Sequence, residues 1–195
     1  YSQLGKHKEA KESYEQAIRI NPDYALAHYN LGSVYGKLGK YEEAIESYKQ
    51  AIRINPDHAL FHINLGAAYE KSGKNEEAIE SYKQAIRIDP DYAEAHNNLG
   101  IAYHESGKYE EAIESFKQVV KIGPDDAEAH YNLGLAYGES GKYKDAIEPN
   151  KQAIEIDPDY AEAHNNLGIA YSQLGKHKEA KESYEQAIRI NPDYA

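Results

Sequence analysis

Five histidines recur in this sequence at a constant spacing of 34 residues, and their type and spacing are the first to suggest chemistry. They are His28, His62, His96, His130 and His164. Imidazole nitrogens bind zinc at about 2 Å, so an aligned row of them could form metal sites. Neighbouring helices pack about 10 Å apart, however, which is too far for rings on two repeats to share one ion. We therefore predict packing histidines and no metal site.

Paired carboxylates are the other groups that could act chemically. Glu42 and Glu43, like Glu76 and Glu77, stand where a helix is predicted to begin. Negative charge is stabilised there by the helix dipole. The sequence has no cysteine, no glycine-rich phosphate loop and no nucleophile elbow. An enzyme needs unlike groups that converge, whereas a repeated sequence presents identical groups in rows. We predict a protein that is not an enzyme and uses no cofactor.

Composition limits the classes of partner. The formal charge is −11, from 22 basic and 33 acidic residues, which argues against a nucleic-acid partner. No window approaches the roughly 18 consecutive apolar residues of a membrane span. We expect a soluble, cytoplasmic chain whose partner is a protein or a peptide. Residues 93–126 and 127–160 each carry three basic against seven acidic side chains, which indicates a weak preference for basic partners.

The elements that would position such groups follow the same period. A partial repeat, residues 1–24, precedes full repeats at 25–58, 59–92, 93–126, 127–160 and 161–194. In each repeat, apolar residues at three- and four-residue spacing flank a glycine, which predicts two amphipathic helices and a turn.

Glycine and proline mark the helix ends. A left-handed residue is predicted after each first helix, at Gly39, Gly73, Gly107, Gly141 and Gly175. Proline is predicted to close each second helix, at Pro56, Pro90, Pro124, Pro158 and Pro192. Three repeats place Asp-x-x-Glu before the first helix, as in Asp91 to Glu94, which predicts a capping box.

The first full repeat contains Leu31, Gly32, Tyr35, Ala44, Tyr48, Ala51 and Pro56, and this pattern resembles the tetratricopeptide repeat over the whole chain. The resemblance implies an all-α fold: a right-handed superhelical solenoid of antiparallel helix pairs, with residues 1–195 as a single domain. It also implies a protein-interaction scaffold whose concave groove is lined mainly by the first helices. Gly32 and Ala44 would let helices approach, while Tyr48 fills the space between them.

An asparagine stands two residues after each of the five histidines. By the resemblance, the row Asn30, Asn64, Asn98, Asn132 and Asn166 faces the groove. Asparagine is an indifferent helix former, so its recurrence needs a reason. A carboxamide both donates and accepts hydrogen bonds, and can therefore hold the backbone of an extended peptide. The alternative is that these side chains bond neighbouring helices, or were copied with the repeat.

Two further rows are predicted to complete the groove. One residue before the asparagines stand Tyr29, Ile63, Asn97, Tyr131 and Asn165. Three residues after them stand Ser33, Ala67, Ile101, Leu135 and Ile169. This surface is polar to mildly apolar. It lacks the Lys and Arg with which related chaperone adaptors bind a terminal carboxylate, so that function is disfavoured.

The repeat 127–160 is irregular. Pro149 stands inside its second helix, which costs about 3 kcal/mol in a regular helix. Asn150 stands where an aromatic residue should pack, which predicts a void or a buried polar group. We expect a tolerated kink, with a functional hinge as the alternative.

The two ends of the sequence are copies, because residues 1–25 are identical to residues 171–195. Tyr184, Ala187 and Ile188 are expected to form an apolar face that could meet Tyr1 of another copy. The alternative function is therefore an engineered or excised repeat array that self-associates head to tail and has no dedicated ligand.

Overall fold

The computed structural model describes residues 3–194, with side chains from residue 7 to residue 193. All regular structure in this range is helical, and no helix in it is long and apolar enough to cross a membrane. The helices are α1 (Gln3–Ile20), α2 (Ala25–Lys37), α3 (Tyr41–Ile54), α4 (Ala59–Lys71), α5 (Asn75–Ile88), α6 (Ala93–Glu105), α7 (Tyr109–Ile122), α8 (Ala127–Glu139), α9 (Tyr143–Ile156), α10 (Ala161–Gln173) and α11 (His177–Ile190), followed by a 3-10 turn at Pro192–Tyr194.

The chain forms two compact units, and the division between them falls within the sequence of α6. The first unit extends to Asn98 and the second begins at Leu99. In the first unit α2 packs on α3, α4 packs on α5, and α3 also contacts α4. In the second unit α8 packs on α9 and α10 on α11, while α10 also contacts α8 and α9. The predicted helix pairs with a 34-residue period, and the all-α fold class, are therefore confirmed.

The predicted left-handed glycines are also confirmed. The φ angles are 71° at Gly39, 77° at Gly73, 70° at Gly107, 77° at Gly141 and 72° at Gly175. A residue with a Cβ atom adopts this conformation at a cost, so glycine ends each of these first helices. The chain then turns directly into the second helix, which begins two residues later.

The predicted capping boxes are wrong by one residue. Helix α10 follows Tyr160, whose side chain makes no capping bond, so Asp159 stands too early to cap it. The Asp159 backbone N–H instead donates to Asp157 Oδ1 at 3.1 Å and closes a local turn. Helix α8 also begins one residue later than predicted, but here the later start places an aspartate at the N-cap. Asp126 accepts hydrogen bonds from the backbone N–H groups of Glu128 and Ala129 at 2.9 and 3.3 Å.

An aromatic ring packed on a glycine joins the two helices of most repeats. A Cβ atom on Gly32 would lie 2.8 Å from the Tyr48 ring, and one on Gly66 would lie 2.5 Å from the Tyr82 ring. These distances are shorter than any real contact, so only glycine allows the approach. The predicted roles of Gly32 and Tyr48 are confirmed, and Ala44 is fully buried beside them.

Helix α9 replaces that ring with a buried amide. The helix is continuous from Tyr143 to Ile156 although Pro149 lies inside it, so the proline is tolerated. Asn150 is 0 % exposed and lies over Gly134, as the prediction of a buried polar group requires. Its Nδ2 donates to the Ala146 carbonyl at 2.7 Å, while Oδ1 has no partner in the described part of the chain. An unpaired buried acceptor costs about 1–3 kcal/mol, so this repeat carries a local penalty.

Candidate functional site

Each of the five aligned histidines forms a hydrogen bond from its first helix to the loop before that helix. The Nε2 atoms lie 2.9 Å from the carbonyl oxygens of Pro22, Pro56, Pro90 and Pro124, and 3.1 Å from that of Pro158. A carbonyl can only accept, so Nε2 carries the proton and donates. The prediction of packing histidines is confirmed. Among the side chains described, residues 7–193, no group of three or more His, Asp or Glu could hold a metal ion.

The asparagine row lies on the first helices, and all five side chains are half-buried. Asn64 shows the structural alternative directly, because its Nδ2 donates to the Leu60 carbonyl at 3.0 Å and to the Tyr29 hydroxyl at 3.4 Å. Asn166 differs, since its Nδ2 is buried and has no partner among the described residues. The row is therefore not uniform: the side-chain amide N–H group is hydrogen-bonded at Asn64 and buried without a partner among the described residues at Asn166.

Asn64 and Asn166 line two equivalent clefts, one in each unit. The first-unit cleft lies between α2, α3 and α4 and has a volume of about 300 Å³. It is lined by Ser33, Gly36, Lys37, Tyr41, Tyr48, Asn64, Ala67, Ala68 and Lys71. The second-unit cleft lies between α8, α9 and α10 and has a volume of about 200 Å³. It is lined by Gly134, Leu135, Gly138, Glu139, Tyr143, Ala146, Asn166, Ile169 and Ala170.

Four members of the row three residues after the asparagines line these clefts, and their part in a peptide-binding groove stays a prediction. Ser33 and Ala67 line the first-unit cleft, and Leu135 and Ile169 line the second-unit cleft. Sequence reasoning did not predict four other cleft-lining residues. They are Gly36 and its equivalent Gly138, and Tyr41 and its equivalent Tyr143, which begin second helices. The glycine stands at this place in two of the five repeats and the tyrosine in three, and such a pattern does not show which side chains border a space.

The row one residue before the asparagines needs a correction at Ile63. This side chain is 1 % exposed and belongs to the core, so it cannot contact a ligand. On a helix, one residue is a rotation of about 100°, which turns this position away from the asparagine face. An aliphatic side chain gains most by burial there. The other members of the row, Tyr29, Asn97, Tyr131 and Asn165, are half-buried, and their contact with a peptide stays a prediction.

The predicted apolar end also needs a correction. Ala187 is 1 % exposed and therefore cannot present a surface to another copy. The ring of Tyr184 packs on Gly168, where a Cβ atom would lie 2.6 Å from it. Ile188 remains 37 % exposed, whereas Tyr1 lies outside the described residues. The single methyl group of Ala187 lets α11 lie close to its neighbour, and this close approach removes it from solvent.

Tyr160 lies beside Tyr131 at the start of α10, with ring centroids 5.0 Å apart. Burial raises the pKa of Tyr160 to about 12, and the negative charges of Glu128 and Glu162 add to the effect. A phenol in an unfolded chain has a pKa of about 10. Folding therefore favours the neutral phenol, and the stability that it contributes is complete below about pH 10 and is lost as the pH rises towards 12.

We expect Tyr160→Phe to remove one tyrosinate transition near pH 12 from the alkaline titration. The measurement is the ultraviolet absorbance of tyrosinate against pH, taken as the difference between the original chain and the variant. Tyr143→Phe is the control, because it removes a different phenol, at the start of α9, and should leave the late transition of Tyr160 in place. A difference titration centred near pH 10 for Tyr160 would contradict the prediction.

Helix pairs of 34 residues, with polar rows on their first helices and clefts between consecutive pairs, define a tetratricopeptide-repeat protein-interaction scaffold. The family model described as the cilia and flagella-associated protein 70 C-terminal domain matches residues 1–193, and the chain belongs to this family. A comparison with curated protein sequences found no match.

Solved structures of similar fold include other tetratricopeptide-repeat proteins. MamA is 29 % identical, with a TM-score of 0.79 over 84 % of this chain and 95 % of MamA. YrrB, described as a TPR protein with an unusual peptide-binding site, is 23 % identical, with a TM-score of 0.83 over 94 % of each chain. MamA from Desulfovibrio magneticus RS-1 is 24 % identical, with a TM-score of 0.80 over 87 % of this chain and 96 % of that one. The last two similarities show the fold alone.

Proposed function

We propose that residues 1–195 act as one repeat array that binds an extended peptide segment of a partner protein along its first helices. The asparagines would hold the peptide backbone: Asn30, Asn64 and Asn98 in the first unit, and Asn132 and Asn166 in the second. The observation that carries the proposal is that Asn64 and Asn166 line equivalent clefts in the two units. A carboxamide at such a cleft can donate to a peptide carbonyl and accept from a peptide N–H.

The charge of the chain supports a basic peptide. With a formal charge of −11, the protein attracts cationic segments and raises their rate of encounter. One cleft-lining position carries opposite charges in the two units. Lys37 borders the first-unit cleft, and Glu139 takes the equivalent place in the second-unit cleft. We therefore propose that the second unit makes the stronger contacts with basic side chains. The peptide-binding site described for YrrB is consistent with this use of the fold.

The asparagines should contribute unequally. The Nδ2 group of Asn64 already donates to Leu60 and Tyr29, so a peptide would have to compete for it. The Nδ2 group of Asn166 is buried and unpaired among the described residues, so turning this amide towards a peptide carbonyl would break no existing hydrogen bond. Removing the Asn166 carboxamide should therefore weaken peptide binding more than removing that of Asn64.

The test is to select short peptides on the original chain from a random library displayed on phage, and to measure their affinity for variants by calorimetry. We expect Asn166→Ala to weaken the selected peptides roughly tenfold or more, which corresponds to about 1.4 kcal/mol, and Asn64→Ala to weaken them less. The matched control is Asn75→Ala, because Asn75 is exposed and begins the second helix α5 instead of lying on a first helix. Unchanged affinity for Asn166→Ala together with Asn132→Ala would overturn the proposal.

Sedimentation equilibrium on the same variants separates peptide binding from head-to-tail association. Substitutions in the asparagine row should leave the mass of the protein unchanged, since the asparagines lie on first helices whereas the exposed Ile188 lies on the second helix α11. Loss of peptide binding with an unchanged mass is the expected result. A change of mass that parallels the loss of peptide binding would instead assign these asparagines to self-association.

A further inference from the structure

The second-unit cleft is where this chain departs most from its own repeat. In the first-unit cleft, Tyr48 is part of the lining and its ring covers Gly32. Asn150 takes the equivalent position in the second unit, where no ring covers Gly134. The cleft there reaches down to Gly134 and Ala146, although the equivalents of these two residues do not line the first-unit cleft. The missing ring has therefore given the second-unit cleft a deeper floor.

The size and lining of this cleft suit an aromatic ring. Its volume of about 200 Å³ exceeds the roughly 150 Å³ of a cavity that accepts benzene. Leu135, Tyr143 and Ile169 supply apolar walls, and Gly138 leaves one wall without a side chain. A planar apolar group that enters here would bury its surface against these side chains, at roughly 25 cal/mol for each Å² removed from water.

Two amide atoms at the same cleft lack partners. Asn150 is completely buried, and its Oδ1 accepts no hydrogen bond from any described residue. Its amide lies against Gly134, which forms part of the floor. Asn166 lines the cleft, and its Nδ2 is a buried donor without a partner among the described residues. The cleft thus combines apolar walls with one unused donor on a lining residue, Asn166, while the unused acceptor of Asn150 lies buried next to the floor at Gly134.

We infer that this cleft binds the phenol side chain of a tyrosine in the partner peptide, an inference that rests on the proposed peptide-binding function. The ring packs on the floor that Gly134 and Ala146 form in this repeat. Its hydroxyl can accept a hydrogen bond from Asn166 Nδ2 once that amide turns towards the cleft, which a phenylalanine cannot do. Glu139 lies at the same cleft and is exposed, so a lysine or arginine beside the tyrosine adds a favourable charge pair.

The first test uses p-cresol, the free form of the tyrosine side chain, and follows backbone amides of the full chain by NMR. We expect saturable shifts at Gly134 and Gly138, and no saturable shift at Gly32 and Gly36, which are the matched positions in the first unit. Toluene has the same shape without the hydroxyl and should bind at least about tenfold more weakly. No saturable shift at Gly134, or equal shifts in both units, would overturn the inference.

Two variants test the location of the site. Asn150→Tyr restores the ring of the other repeats and should abolish p-cresol binding. Gly138→Leu is the second variant, because a Cβ atom on Gly138 meets nothing within 4 Å and its side chain can enter the cleft without disturbing the core. Gly36→Leu, at the equivalent open position of the first unit, is the control and should leave p-cresol binding unchanged. Undiminished binding to Gly138→Leu would contradict the site.

The peptide experiment distinguishes this inference from the proposed function. Peptides selected on the original chain should contain tyrosine, and replacing that tyrosine by alanine should cost them at least tenfold in affinity for the original chain but little for Gly138→Leu. If selected peptides depend on Asn166 yet tolerate loss of tyrosine, the inference fails and the proposed function stands. If p-cresol binds at Gly134 but no peptide responds to the asparagine substitutions, the proposed function fails and the phenol site stands.

Discussion

Replacing Tyr82 by alanine is expected to lower the free energy of unfolding by about 3–5 kcal/mol, the largest single effect that we predict. Tyr82 is 0 % exposed, and its ring fills the space over Gly66 between α4 and α5. Helix α4 is also packed on α3, so the space cannot close fully when the ring is removed. The loss combines the transfer free energy of the ring with the cost of the cavity that remains. Urea denaturation, followed by circular dichroism, measures it.

Tyr82→Phe is the matched control for this prediction. It removes only the hydroxyl that donates to Glu70 Oε2 at 2.7 Å, and should cost about 0.5–1.5 kcal/mol. The chain already contains this alternative, because Phe116 takes the same place over Gly100 in the next repeat. Equal losses for Tyr82→Ala and Tyr82→Phe would show that the hydroxyl, and not the packed ring, stabilises the helix pair.

Gly66→Ala is the second large effect, with an expected loss of about 1–3 kcal/mol. The added Cβ atom would lie 2.5 Å from Tyr82 Cε1, and this ring has no free space into which it could move. Alanine is the better helix former by up to about 1 kcal/mol, so the steric penalty must exceed that gain. The measurement is again the free energy of unfolding in urea, with the m-value used to check that the cooperative transition is preserved.

Gly36→Ala provides the control within the same fold. Gly36 lies in helix α2, and a Cβ atom there meets nothing within 4 Å. Only the helix propensity changes, so this variant should be more stable by up to about 1 kcal/mol. The two glycines lie in equivalent helices of adjacent repeats, and the opposite signs of their effects test the packing argument directly. A loss of similar size for Gly36→Ala would contradict it.

Residues with a local role were predictable from the sequence. The left-handed conformation at Gly39 follows from the absence of a Cβ atom, and the end of each second helix follows from the proline after it. The packing role of His62 follows from the repeat, because histidines on neighbouring helix pairs lie too far apart to bind one metal ion. The structure adds the Pro56 carbonyl as the hydrogen-bond partner of His62. The capping boxes were wrong because a pattern places a helix start only to within about one or two residues.

The sequence by itself determined the period of 34 residues, the helix pairs and the small residues that let them pack, because each depends on neighbours a few residues apart or on exact repetition. Only the tertiary structure decided which side chains border a space. It buried Ile63 and Ala187, used the amide of Asn64 inside the fold and left Nδ2 of Asn166 without a partner among the described residues. These outcomes depend on contacts between helices distant in the sequence, where a half-turn of rotation or one missing ring decides whether a position lies in the core or borders a cleft.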